Sequence, residues 1–133
     1  MITESRMRQS IEQRLDEIVE YARTCIEETA ITQSRMEESQ LHNLRNMANA
    51  TDSVKALENF IYYQMGRRSE WRHNDFGKHV LADIERLGDL AQELVEGSSI
   101  PERTLHIELI RLYTGLLYRW FVAKRSCPED CEG

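Results

Sequence analysis

Leu105-His106-Ile107-Glu108-Leu109-Ile110-Arg111-Leu112-Tyr113-Thr114-Gly115-Leu116-Leu117-Tyr118-Arg119-Trp120-Phe121 decides the fold class of this chain. Leu105, Leu109, Leu112, Tyr113, Leu116, Leu117, Trp120 and Phe121 recur at steps of three and four, the period of one face of an α-helix. The run is also too long for a strand. Ser98 or Ser99 can cap such a helix, and Pro101 falls near its first turn, where a missing amide costs nothing. The helix is predicted to run from Ser99 to Arg125 and, as the richest apolar face in the chain, to be the central one. Leu109, Leu112, Leu116, Trp120 and Phe121 are its expected core positions.

Working outward, the same periodicity recurs four more times. A long amphipathic helix is predicted from Glu4 to Ala30, with Ile11, Leu15, Ile18, Ala22 and Cys25 or Ile26 inward and Glu12, Arg14, Asp16, Glu17 and Glu20 outward. A second begins near Glu37 or Ser39 and carries Leu41, Leu44, Met47 and Ala48. Thr51-Asp52-Ser53 offers capping oxygens for a third, with Val54, Leu57, Phe60, Ile61 and Met65, ended by Gly66. Asn74 or Asp75 caps a fourth, whose apolar positions run from Phe76 to Leu94, and Gly97 stops it. The expected architecture is all-α: one bundle of about five helices over residues 1–133, with residues 126–133 as a flexible acidic tail.

Two prolines among 133 residues, Pro101 and Pro128, leave the first hundred residues free to form long helices. No apolar run approaches the roughly 20 residues a membrane span needs, and charges sit where a signal peptide would be apolar, so a cytoplasmic protein is expected. Cys25, Cys127 and Cys131 are an odd number and read as free thiols. The net charge of −6 opposes indiscriminate binding of polyanions. Residues 40–79 nevertheless carry a net +2, while the flanking segments are each −4.

No phosphate-binding glycine loop, zinc-protease motif or nucleophile elbow is present, and no Glu-x-x-His pair suggests a di-metal bundle. Cys127-x3-Cys131 lacks a second ligand pair, so no metal and no cofactor are expected. Glu102 and His106 read as a surface pair. The basic third combines Tyr62, Tyr63, Arg67, Arg68, Trp71, Arg72 and Lys78. Cations neutralise phosphates while flat rings stack on unpaired bases, a mixture suited to single-stranded RNA. Against this, Tyr62 and Trp71 read first as core packing, and the arginines as complements to a helix C-terminus. Arg72 and His79 also match the Arg-x4-6-His motif of HEPN ribonucleases, in which an arginine stabilises charge on a phosphate and a histidine moves a proton without metal.

In order, Ser39-Gln40-Leu41, Phe60-Ile61-Tyr62-Tyr63-Gln64-Met65-Gly66-Arg67, Phe76 through Ile84, and Leu109 through Lys124 resemble the small helical subunit of type III-A (Csm-type) CRISPR effector complexes. The layout covers about two-thirds of the chain. Where that family has Arg after Ser-Gln-Leu, this chain has His42, with Arg45 about one turn on. The resemblance implies a non-catalytic subunit that helps hold guide and target RNA by the backbone within a multi-subunit complex. Gln40, Arg45, Arg67, Arg68, Arg72, Lys78, Lys124 and Arg125 are the RNA-facing residues this reading names. The acidic first helix fits a protein partner, and a self-associating helical adaptor without nucleic acid is the alternative of a different class.

Overall fold

The computed structural model describes residues 4–126, which form five α-helices and no strand. Helix α1 is Glu4–Thr29, α2 Glu38–Ala50, α3 Val54–Arg67, α4 Phe76–Leu94 and α5 Glu102–Ser126. Short 3-10 turns, Ile31–Gln33 and Ser69–Asp75, carry the chain from α1 towards α2 and from α3 into α4. The expected tail, with Cys127 and Cys131, lies outside the described residues.

Helix α5 is the spine, packing against α1, α2 and α4. Because neighbours cover it on several sides, its buried arc is wider than one stripe: Leu105, Ile107, Leu109, Ile110, Tyr113, Leu117 and Phe121 are all buried. That arc is centred near Tyr113 and Leu117, which corrects part of the expected core. Leu109 and Phe121 are buried as expected, and Leu116 and Trp120 are half-buried. Leu112 is 39% exposed, since at 100° per residue it falls just beyond the edge of the arc. The other helices supply Ile18, Ala22, Cys25 and Ile26 from α1, Leu41, Leu44 and Ala48 from α2, Leu57 and Ile61 from α3, and Phe76, Val80, Ile84, Leu87, Leu90 and Ala91 from α4.

The helix ends follow local chemistry, with departures from expectation. One is that α5 starts at Glu102 and not at Ser99, Ser98 accepting a hydrogen bond from the Ile100 amide (2.9 Å) ahead of the helix rather than capping it. Ser53 accepts a hydrogen bond from the Ala56 amide at 3.0 Å and starts α3, as its position before Val54 implies. Asn74 and Asp75 do not cap α4 through their side chains. Both have left-handed backbone (φ 45° and 59°), a conformation Asn and Asp tolerate better than other side chains. The Asn74 amide instead donates to the Thr29 carbonyl at 2.9 Å and closes the C-terminus of α1. Pro101 precedes α5, and its carbonyl accepts the first amides, those of Thr104 and Leu105. At Gly77 a Cβ would stand 2.4 Å from Met65 Cγ and 3.0 Å from the Trp71 carbonyl oxygen, so a larger residue would force the Met65 side chain to shift. No helix of the described residues is long and apolar enough to cross a membrane.

Candidate nucleic-acid interface

Helix α3 faces the core with Leu57 and Ile61 and solvent with the two positions after Ile61. Tyr62 and Tyr63 are consequently 61% and 58% exposed, where core packing was expected for Tyr62. Trp71, the other aromatic in question, does enter the core: it is fully buried against Phe76, ring centroids 5.4 Å apart, and its indole N–H donates to Gln40 Oε1 at 3.0 Å.

The cations around the tyrosines are partly organised. Arg67 lies one turn after Tyr63, donating from Nη1 to its hydroxyl at 3.2 Å, with its guanidinium carbon 5.7 Å from the ring centroid. Arg68 is exposed and closes α3 through its backbone N–H, which donates to the Gln64 carbonyl at 2.8 Å. Arg72, also exposed, donates to the Met65 carbonyl and so folds back over the same helix end. Two exposed rings and three guanidinium groups thus share one end of α3. Lys78 is exposed on α4 but lines a concavity of about 760 Å³ together with Tyr62, Glu58, Glu85, Asp89 and Glu102. Those carboxylates repel phosphate, so Tyr62 marks the boundary between a basic and an acidic surface.

The remaining sequence-derived candidates lie elsewhere. Arg45 is half-buried on α2 and runs across Gly115 of α5. Gln40 is buried as the partner of Trp71. Lys124 is buried, 3.0 Å from Glu27 Oε2 and 5.6 Å from the centroid of the Trp120 ring. Arg125 donates to the carbonyls of Thr32 (2.9 Å from Nη2), Ser34 (3.0 Å) and Met36, stacked 4.5 Å from the Phe121 centroid. Gln40, Lys124 and Arg125 therefore spend their polar atoms inside the fold. The Arg72 and His79 of the ribonuclease-like motif also have separate partners: Arg72 the Met65 carbonyl, His79 the carboxylates of Glu28 and Asp83 at 3.2 and 3.4 Å. Nor is His106 a surface partner of Glu102, because its Nε2 lies 2.8 Å from the Ile84 carbonyl.

No protein-family model, curated protein or solved structure matches the chain.

Proposed function

We propose that this protein is a non-catalytic RNA-binding subunit of a type III CRISPR ribonucleoprotein, gripping guide or target RNA at the C-terminal end of α3. The observation that carries this reading is the exposed pair Tyr62 and Tyr63 beside Arg67, Arg68 and Arg72, in a chain that is otherwise acidic. Exposed rings give unpaired bases a stacking surface without sequence readout, and the guanidinium groups beside them meet the phosphates. The order of segments that resembles the small subunit of type III-A complexes supports the assembly. Arg72 and His79 are turned to separate protein partners, the Met65 carbonyl and Glu28, which favours a binding role over the ribonuclease-like reading.

The test is binding of a labelled single-stranded RNA to the purified protein across a salt series. Replacing Arg67, Arg68 and Arg72 together with Ala should flatten the dependence of log K on log salt by about 0.7 for each phosphate that is no longer neutralised. Tyr62→Ala and Tyr63→Ala should each cost about 1–3 kcal/mol of binding, with the salt slope unchanged. Equal affinity of all these variants and the native protein would refute the site, and failure to copurify with guide-RNA complexes from the native cell would refute the assembly.

A further inference from the structure

Helices α1 and α4 pack together, and at one point where they meet polar side chains stand where apolar ones would be expected. Cys25 of α1 and Asp83 of α4 are fully buried, and His79, one turn before Asp83, is mostly so. The Cys25 sulfur, a ring nitrogen of His79 and a carboxylate oxygen of Asp83 all lie within 4.8 Å of one another. Tyr113 of α5 closes the cluster from below, its hydroxyl donating to Asp83 Oδ2 at 2.5 Å. His79 Nδ1 is 3.4 Å from that same oxygen, and Nε2 on the outer side is 3.2 Å from Glu28 Oε2. Arg86 Nη1 is 3.8 Å from Asp83 Oδ1, beyond hydrogen-bonding range.

Two polar atoms of the cluster are left without a partner. Tyr113 has one proton and gives it to Asp83. With Nε2 of His79 against Glu28, Nδ1 is left facing the Asp83 oxygens. Both His79 Nδ1 and Asp83 Oδ1 are buried without a hydrogen-bond partner, and leaving such groups unmatched is costly. The cluster thus brings sulfur, nitrogen and oxygen donors together around two buried polar atoms that have no hydrogen-bond partner, an arrangement a bound cation would satisfy.

We propose that Cys25 Sγ, His79 Nδ1 and the Asp83 carboxylate bind one borderline divalent metal ion of the Zn²⁺ class, with a remaining position for solvent. A thiolate, an imidazole and a carboxylate form a donor set this class of ion favours. Tetrahedral zinc, with bonds of about 2.0–2.3 Å, holds its donors roughly 3.3–3.7 Å apart, and His79 and Asp83 already stand at such a separation. The surroundings fit as well. Glu28 accepts from the outer nitrogen of the histidine and Tyr113 donates to the carboxylate, the two supports that orient metal ligands. The Cys25 thiol would release its proton to solvent as the S–metal bond forms. The exposed Glu28 side gives the ion its entry, and once bound it would tie α1 to α4.

The experiment uses full-length protein carrying Cys127→Ser and Cys131→Ser, which removes the other thiols. Titrated with Co²⁺, it should bind one equivalent and develop a thiolate-to-cobalt charge-transfer band. Zn²⁺ should displace the cobalt and raise the thermal midpoint. Cys25→Ser should abolish the band. Glu28→Gln, at an exposed position that leaves the fold intact, should weaken binding roughly 10- to 100-fold through the orientation of His79. Absence of a charge-transfer band, or Zn²⁺ affinity unchanged by both Glu28→Gln and His79→Gln, would overturn the site. So would a metal-insensitive protein whose His79 is found by NMR to be an imidazolium bridging Glu28 and Asp83.

Discussion

Replacing Leu117 and Leu112 separately with Ala tests the placement of α5, because both are leucines on one helix and only their burial differs. Leu117 is fully buried, whereas Leu112 keeps 39% of its surface in water. Leu→Ala removes about three methylene equivalents, worth roughly 2.4 kcal/mol when fully buried at about 0.8 kcal/mol each. At Leu117 the closed site adds a cavity term, which brings the loss to about 3–5 kcal/mol. At Leu112 about three-fifths of the transfer term applies and water fills the gap, so the loss is about 1–1.5 kcal/mol. Urea denaturation followed by far-UV circular dichroism should resolve the two. In thermal melts the midpoint should fall by roughly 10–15 °C for Leu117→Ala and about 3–6 °C for Leu112→Ala. Equal losses at the two positions would mean that the buried arc of α5 is rotated from where the fold places it.

Gln40→Ala should cost about 1–3 kcal/mol in urea denaturation, because it strands the buried Trp71 indole N–H, while RNA affinity of the folded protein stays unchanged. The hydrogen bond from Arg14 holds the Glu17 carboxyl below its ordinary value. The unfolded chain therefore takes up the proton first, and the pair's stabilisation is present above the usual carboxylate range and lost as pH falls through the folded-state value. Since the pair is partly exposed, Glu17→Gln should cost under about 1 kcal/mol near neutrality, and its deficit against the native protein should shrink as pH falls below the usual carboxylate range.

Periodicity carried the fold further than it carried the site, for reasons visible at single residues. Helix count, order and the central place of α5 follow from apolar spacing, which reports burial directly. The width of a buried arc does not: Ile107 and Ile110 lie off the stripe through Leu105, Leu109, Leu112 and Leu116, and only the presence of α1, α2 and α4 around α5 covers them. Asp83 left a legible trace as a charge set among Val80, Leu81, Ile84 and Leu87 of α4, one turn after His79. Its thiol neighbour did not, since Cys25 joins them only when α1 packs on α4.

The charged residues explain the rest. An arginine offers five donors in a fixed fork, and a peptide carbonyl accepts them as readily as a phosphate oxygen does. Sequence records the fork and not the acceptor. Arg125 and Arg111, both on α5, illustrate the protein-facing case. The first holds the turn at Thr32, Ser34 and Met36, and the second binds the carbonyls of Ala48 and Thr51 where α2 ends. Each takes helix-end or turn carbonyls that lack a partner within their own segment, so the helices are joined by donors that composition alone counts as basic surface. Arg67 and Arg68 differ because α3 ends at the surface beside two exposed rings. Burial of the neighbouring aromatic separates the two kinds of arginine: beside exposed Tyr63 the guanidinium is open to solvent, and against buried Phe121 it is already satisfied.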